Sequence, residues 1–250
     1  MSKVNFLKIP IDAITMKQTL SKIEEAIVNG KQIHHSVVNA IKITKMESDI
    51  KLRESVFSAD LINADGQSVV WAAKLLGKKI PERVTGIDLM ENLVELSFGK
   101  GYRCYFLGAA EDVVSELVNM YEKKYSKDLI AGYRNGFFDK SQENDIANII
   151  ADSRPNILFV AMTSPKKEVF LNDYKKTLKN VNFIMGVGGS FDVISGKINR
   201  SPLWMRKIGL EWFFRILQEP FRLFFRYFIG TTKFIRLVII EIFNNITKLT

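Results

Sequence analysis

The sequence predicts an α/β protein in which a Rossmann-like, largely parallel sheet is flanked by helices and followed by a helical C-terminal appendage. Two observations predict the sheet: strand-like and helix-like segments alternate through residues 1–195, and polar or glycine-rich motifs follow the strand-like segments. A third predicts the appendage, because the composition becomes basic and aromatic beyond about residue 195. We therefore predict an α/β domain over residues 1–195 and a basic, amphipathic helical appendage over residues 196–250.

Seven apolar segments bounded by turn-forming residues are predicted as strands. They are "VNFLKI", "HHSVV", "ADLIN", "YRCYFLG", "DLIAGY", "NILFVAM" and "NFIMGVG". Segments with helical apolar spacing separate them, for example Met16 to Asn29 and Val113 to Tyr125. This alternation favours parallel pairing, and ligands of such sheets bind where strand ends meet helix starts.

Length and composition predict a globular protein of the cytosol. With 47% apolar residues in a chain of 250, a sizeable core can form. The single cysteine, Cys104, lies in the strand-like "YRCYFLG" and is predicted to be a buried thiol in a reducing compartment. The N-terminal residues lack the apolar core of a signal peptide, and no charge-free apolar run reaches the roughly 18 residues of a spanning helix.

The C-terminal residues carry most of the excess positive charge. The chain has a formal charge of +9, of which residues 200–250 contribute +6 through nine Lys or Arg and three Glu. Helical projection separates a polar arc from an aromatic side, and Pro220 is predicted as a kink or helix restart. The polar arc holds Arg215, Gln218, Glu219, Arg222 and Arg226, and the opposite side holds Phe213, Phe214, Leu217, Phe221, Phe224, Phe225 and Phe228.

Three interpretations of this amphipathic segment remain. The aromatic side could pack on the rest of the protein, or it could enter a membrane interface while the arginines attract anionic headgroups. Nucleic acid is a weaker interpretation, because bulky apolar residues outnumber polar base-reading residues. We predict association with an anionic membrane surface and no nucleic-acid partner, and leave a homo-oligomer open.

The loops after the predicted strands contain the candidate functional residues, each with a structural alternative. Asp65, in "NADG", is either a turn residue or a catalytic base, and Arg83 is either a surface ion pair or an anion clamp. The glycines of "LGAAED" and "GVGGSFD" could cradle a diphosphate or could allow close packing. In "MTSPKKE", Ser164 and Pro165 resemble an N-cap and a first-turn proline, and Lys167 could be a solvated charge.

Several reaction classes lack their sequence signatures. His34 and His35 are adjacent in a predicted strand and would point to opposite faces, which argues against shared metal binding. No HExxH, cysteine cluster, GxSxG or DxD pair occurs, and the first strand is not followed by a dinucleotide-binding glycine motif. For an enzyme, these absences favour a carboxylate as the base, with no metal and no cofactor.

Four long motifs together resemble the WecG/TagA/CpsF family of glycosyltransferases. The resemblance covers about residues 9–226. The motifs are "NADGQSVVWAAKLLGKKIPERVTGIDL", "YFLGAAEDVV", "ILFVAMTSPKKEVFL" and "GVGGSFDVISGKINRSPLWMRKIGLEWFFRILQEPFRLFFRY".

The resemblance implies metal-independent, inverting transfer of a sugar from a UDP-sugar to a polyprenyl-diphosphate-linked sugar on the cytosolic face of the membrane. The sugar would be N-acetylmannosamine, its uronic acid or a related hexose, for a cell-surface polysaccharide or teichoic acid. By resemblance, Asp65 is the catalytic base. The other candidate substrate contacts are Asn39, Arg83, Gly108, Lys167, Arg206, Arg215 and Arg222, and the candidate nucleotide contacts are Gly136, Ser164, Pro165, Gly188, Gly189 and Asp192.

Two residues depart from the family pattern and leave the sugar donor open. Val37 stands where the family commonly has Thr, and Lys167 stands where it has Gln. Lys167 could pair with the carboxylate of a uronic sugar or help to hold a diphosphate. A glucosyl or other hexose transferase of the same family, and a non-catalytic membrane-associated scaffold that keeps the fold, remain as alternatives.

Overall fold

The computed structural model describes residues 3–247, except for the side chains of Arg222 and Ile246. Its main feature is a six-stranded sheet in the order β4-β3-β8-β7-β5-β6, in which every neighbouring pair is parallel. The α/β prediction is therefore confirmed. The strands are β3 Ile33–Val38, β4 Leu61–Ala64, β5 Cys104–Gly108, β6 Ile130–Arg134, β7 Ile157–Ala161 and β8 Phe183–Gly186.

The predicted first strand, "VNFLKI", is wrong as a single strand. It forms an antiparallel hairpin of β1 (Lys3–Phe6) and β2 (Ile9–Asp12), separate from the main sheet. Leu7 and Lys8 make the turn with φ of 48° and 65°. Two-residue hairpins need positive φ but usually place Asn or Gly there, so these residues gave no turn signal.

Helices follow the strands as the alternation predicts. Thr15 caps α1 with a capping box, Asn39 caps α2 and Thr85 caps α5, in each case through a side-chain oxygen. The helices are α1 Met16–Val28, α2 Ala40–Met46, α3 Ile50–Phe57, α4 Gln67–Leu75, α5 Gly86–Lys100, α6 Glu111–Lys124, α7 Glu143–Asp152, α8 Lys166–Asp173, α9 Ser190–Ile194, α10 Leu203–Lys207, α11 Glu211–Gln218 and α12 Pro220–Thr247.

Both faces of the sheet are covered, and β5 shows how. Cys104 and Phe106 point into a core shared with α1, α5, α6 and α9, whereas Tyr105 and Leu107 point into a core shared with α7 and α8. This alternation follows the two-residue period of a strand. Burial raises the pKa of the Cys104 thiol to about 12, as expected for a structural thiol.

One part of α12 packs against the α/β body. Gly230 faces Ile41 of α2 so closely that a Cβ there would lie 2.3 Å from Ile41 Cδ1. Phe234 and Val238 belong to the same buried cluster as Phe6. Pro220 begins α12, which confirms the predicted helix restart. Among the described residues, no helix is long and apolar enough to cross a membrane.

Candidate active site

Asp65 lies at the carboxyl end of β4, where the neighbouring strand β3 also ends. Its backbone N–H donates to the Val38 carbonyl at 2.9 Å, and its Oδ1 accepts from the N–H of Gly86, the first residue of α5, at 3.2 Å. Asp65 Oδ2 receives a long contact of 3.5 Å from Asn39 Nδ2. The half-buried carboxylate is thus oriented through Oδ1, while Oδ2 can accept a stronger hydrogen bond.

Asn39 connects this carboxylate to the start of α2. Its Oδ1 accepts from the Lys42 backbone N–H at 3.0 Å and caps the helix, which leaves Nδ2 directed at Asp65. A Cβ on Gly66 would lie 3.3 Å from Asn39 Cβ, so glycine keeps the two loops close. Val37 is buried within β3. Val37, at which this chain departs from the family's Thr, is therefore a buried residue directly behind the Asn39 loop.

A buried cluster of three charges lies beyond Asn39 on the same side. Glu168 Oε1 is 2.7 Å from Lys42 Nζ and 2.9 Å from Lys167 Nζ. Burial lowers the pKa of Lys167 to about 8, and the charge of Lys42 adds to this effect. Burial opposes ionisation of Glu168, but the two ammonium groups hold the pKa of its carboxyl well below the usual range. The cluster therefore holds two cations against one anion.

Lys167 is not a solvated surface charge, because the residue is only 7% exposed. Its methylene groups cover Gly186 at the end of β8, where a Cβ would lie 2.8 Å from Lys167 Cδ. The charge of Arg226 also lowers the pKa of Lys167. Since Arg226 is on α12, this helix lies near the cluster. The neighbouring Ser164 is not the expected N-cap, since Pro165 precedes α8 and Ser164 Oγ makes no capping hydrogen bond.

Glycines crowd the boundary between β5 and β7. A Cβ on Gly108, at φ 129°, would lie 2.4 Å from the Ala161 carbonyl oxygen. The Gly136 N–H donates to the Ala109 carbonyl, and a Cβ there would lie 3.0 Å from Gly108 Cα. From this boundary, β5 connects through α6 to β6, toward one edge of the sheet. The strand β7 connects through α8 to β8, toward the other edge. Parallel sheets form a ligand-binding crevice at such a reversal of strand order.

The loop after β8 faces a tail arginine. A Cβ on Gly189 would lie 3.9 Å from Arg215 Nη1 and equally far from Asp192 Oδ2. Gly188 adopts φ of 56°, a conformation that favours glycine. The Arg215 guanidinium, from α11, therefore lies beside the predicted phosphate-binding loop.

Arg83 contacts the C-terminal segment. Its Nη1 is 3.4 Å from Glu211 Oε2, and its Nη2 donates to the Arg206 carbonyl at 2.9 Å. Arg200 likewise pairs with Asp88 and Glu91 on α5; burial opposes ionisation of Asp88, but hydrogen bonds from Thr85 and Arg200 lower the pKa of its carboxyl. These contacts attach α10 and α11 to the body. The side chain of Arg222 lies outside the described residues.

Sequence reasoning missed Tyr227 and did not select Arg226 as a site residue. Burial raises the pKa of Tyr227, the charges of Arg215 and Arg226 oppose this rise, and the charge of Asp65 supports it. Tyr227 thus lies among the base candidate and two arginines. No local signal could have selected it, because its position depends on how α12 crosses α2.

The paired histidines have a structural environment. His34 and His35 are both buried in β3, and His35 Nε2 lies 2.9 Å from Asn63 Oδ1 on β4. Within residues 3–247, no three His, Cys, Asp or Glu side chains are arranged to hold a metal ion.

Sequence similarity to known proteins extends over nearly the whole chain. The family model described as "Glycosyl transferase WecG/TagA/CpsF family" matches residues 4–248. A Bacillus spizizenii N-acetylglucosaminyldiphosphoundecaprenol N-acetyl-beta-D-mannosaminyltransferase is 37% identical over 165 residues, and a Bacillus subtilis protein of the same description is 34% identical over 165 residues. Each alignment covers 66% of this chain and 63% of the relative. Since the family model covers nearly the whole sequence, the chain belongs to the WecG/TagA/CpsF family of glycosyltransferases.

Proposed function

We propose that this protein transfers a sugar from a UDP-sugar to a polyprenyl-diphosphate-linked sugar, with inversion and without a metal ion. The donor sugar is N-acetylmannosamine, its uronic acid or a related hexose, and the product serves a cell-surface polysaccharide or teichoic acid. The observation that carries the proposal is the oriented Asp65 carboxylate at the strand ends, with Arg215 and Arg226 of the C-terminal helices close by.

In this mechanism Asp65 accepts a proton from the acceptor hydroxyl. As that hydroxyl oxygen attacks the anomeric carbon from the face opposite UDP, its proton passes to Asp65 Oδ2, and the bond between the anomeric carbon and the UDP oxygen breaks. The Gly86 N–H and the Asn39 amide orient the carboxylate. The base supplies part of the acceleration, about 10²- to 10⁴-fold, so positioning and stabilisation of the departing charge must supply the rest.

The departing UDP receives positive charge from the protein. Arg215 faces the Gly188–Gly189 loop, and the crevice near Gly108 and Gly136 lies at the reversal of strand order. Asp192 lies on α9, Ser164 and Pro165 lie on the loop before α8, and all three remain candidate contacts. Arg83 and Arg206, predicted as substrate contacts, also have a structural role in this proposal. Their contacts hold α10 and α11 over the strand ends.

The acceptor lipid places the reaction at the inner face of the cell membrane, with the protein attached peripherally from the cytoplasm. Aromatic side chains on α11 and α12 support this placement, because Phe221, Phe225 and Phe228 are exposed. Arg215 and Arg226 lie on the other side of the same segment, beside the strand ends.

The decisive experiment measures UDP release from a panel of UDP-sugars with a polyprenyl-diphosphate N-acetylglucosamine acceptor. Mass spectrometry identifies the transferred sugar, and NMR of the new anomeric centre tests inversion. We expect one donor to dominate and a chelator to leave the rate unchanged. Absence of UDP release with every donor, together with intact vesicle binding, would favour the scaffold alternative.

A further inference from the structure

A second apolar surface involves α4, a helix of the α/β body outside the C-terminal segment. Trp71 and Leu75 are one helical turn apart on this helix, and both are exposed. Helix α4 begins two residues after Asp65. Two large apolar side chains left in solvent beside the candidate base have no function in the proposed chemistry.

The structure joins this pair to α10. A Cβ on Gly209 would lie 2.7 Å from Gln67 Cβ and 3.4 Å from Trp71 Cη2, so the turn after α10 is seated directly on α4. Ile208 adjoins Gly209, and Trp204 lies one turn earlier on the same face of α10. Both are exposed, as is Leu203. We call the five side chains of Trp71, Leu75, Leu203, Trp204 and Ile208 the α4–α10 patch.

The two segments that carry the patch are basic. Residues 67–79 and 203–210 contain five Lys or Arg and no Asp or Glu. Four of the lysines are exposed, at positions 74, 78, 79 and 207. Basic residues bordering tryptophan and leucine match an anionic bilayer, whose headgroups attract cations while its interfacial layer accepts indole rings.

All three tryptophans of the chain are exposed near this side of the molecule. Trp71, Trp204 and Trp212 are 55%, 60% and 43% exposed. Because tryptophan is seldom left in water on a protein surface and is enriched at membrane interfaces, this arrangement favours a lipid surface as the occupant.

We propose that the α4–α10 patch binds the anionic bilayer directly, so that the α/β body itself, and not the C-terminal helices alone, contacts lipid. This inference deepens the membrane association of the proposed function. It places the Asp65 loop at the height of the lipid headgroups, where the diphosphate of a polyprenyl acceptor emerges. The C-terminal aromatic side chains and α4 then contact the bilayer at two separate places. These two contacts fix the tilt of the protein relative to the membrane.

The test uses the native indole of Trp71. In a Trp204→Phe/Trp212→Phe protein, Trp71 is the single tryptophan, and its fluorescence reports its own environment. We expect a blue shift and quenching when vesicles of phosphatidylglycerol and brominated phosphatidylcholine are added. An unquenched Trp71 in a protein that cosediments with these vesicles would overturn the proposal.

A second measurement compares Trp71→Glu/Leu75→Glu with Val28→Glu/Ile149→Glu. Val28 and Ile149 are also exposed, but their helices end there and lead into the amino ends of β3 and β7, away from the strand-end loops. We expect vesicle affinity to fall about tenfold or more for the first pair and to change little for the second. Equal losses would contradict the proposal.

Two further readouts separate this proposal from its neighbours. Turnover of a short, soluble acceptor should be unchanged in Trp71→Glu/Leu75→Glu; a wild-type protein without transferase activity would refute the proposed reaction but not the quenching result. Sedimentation without vesicles tests a second copy of the chain as the occupant. A mass that falls from dimer to monomer on Trp71→Glu/Leu75→Glu, without loss of vesicle binding, would assign the patch to self-association.

Discussion

The phenylalanines of the α/β body and those of the first turns of α12 lie in opposite environments. Phe106 and Phe159 are fully buried and stack with ring centroids 5.6 Å apart. On α12, Phe221, Phe225 and Phe228 are 95%, 67% and 63% exposed. In the body, other residues of the chain bury the phenylalanine side chains. In the first turns of α12, burial of the exposed phenylalanines requires a surface outside the protein.

The same helix changes character further along. Phe234 and Val238 are buried against the hairpin and α2, and Gly230 marks the point of closest approach. Packing on the body therefore holds for this part of α12, and membrane binding remains a proposal for its exposed first turns. The division at residue 195 stays a prediction, but α12 shares a hydrophobic cluster with the body. Six experiments test the self-contained body, the incompletely covered segment and the contrast between them.

Substitution of Asp65 should have the largest effect, because this residue of the α/β body lies near side chains of the C-terminal segment. Asp65→Asn keeps the shape but removes the base, so we expect transfer to fall by about 10²- to 10⁴-fold. UDP release measures the rate, and circular dichroism and UDP binding serve as controls. Activity within about threefold of wild type would exclude Asp65 as the base.

The packing contrast is tested by matched alanine substitutions. We expect Phe159→Ala to lower the free energy of unfolding by about 3–5 kcal/mol, because it leaves a cavity in the core. Phe225→Ala should change it by no more than about 0.5 kcal/mol and should weaken vesicle binding instead. Urea unfolding and vesicle cosedimentation give the two values. Similar stability losses for both variants would mean that Phe225 has a partner within the protein.

The arginines test whether the C-terminal segment takes part in the chemistry. Arg215→Ala and Arg226→Ala should each lower kcat/KM on a short soluble acceptor, on the order of 10²-fold if they stabilise the departing diphosphate. Arg236→Ala, an exposed arginine later on α12, is the matched control. If Arg215→Ala and Arg226→Ala both retained turnover, the C-terminal segment would serve only as a membrane anchor.

Deletion of residues after Ile194 is a less specific test of the same question. It should reduce both vesicle binding and turnover, but it also removes Phe234 and Val238 from the core around Phe6. A folded, fully active deletion protein would still show that the arginines are not needed for the reaction.

The buried histidines make the stability of the body depend on pH. Burial, assisted by the charge of Lys175, lowers the pKa of His34 to about 4, and burial lowers the pKa of His35 to about 3, although its hydrogen bond to Asn63 Oδ1 opposes this. Below about pH 6.5 the unfolded chain binds protons that the folded protein does not, so stability falls as pH decreases, by up to about 1.4 kcal/mol per pH unit for each histidine. Urea unfolding from pH 7.5 to 4.5 should show a smaller decrease in His34→Gln. Parallel curves for variant and wild type would contradict this account.

The smallest effect concerns donor choice. Lys167 adds a cation to a cluster that Glu168 only partly neutralises. If it attracts the carboxylate of a uronic donor, Lys167→Gln should raise KM for that donor by up to about tenfold and leave a neutral UDP-sugar nearly unaffected. Steady-state kinetics with both donors decide this, and equal effects would indicate a diphosphate or structural role.

Much of the fold could be predicted because its signals are local. The six parallel strands follow apolar runs between turn residues, and α1 and α6 follow the helical spacing of their apolar residues. The β1–β2 hairpin was missed because Leu7 and Lys8 adopt positive φ without the usual turn residues. Burial of Lys167 was also not predictable, since Lys42 reaches the Lys167–Glu168 pair only after β3 and β7 join the same sheet.

The sequence by itself determined the alternation of elements, the family and the candidate base, because strand patterns, motif spacing and composition are properties of neighbouring residues. Only the tertiary structure decided which cations accompany Asp65. Arg226 and Tyr227 reach its vicinity because α12 crosses α2 where Gly230 meets Ile41, more than 160 residues along the chain from Asp65. Helical periodicity orders the residues around one axis, but it contains no information about where that axis lies against the sheet.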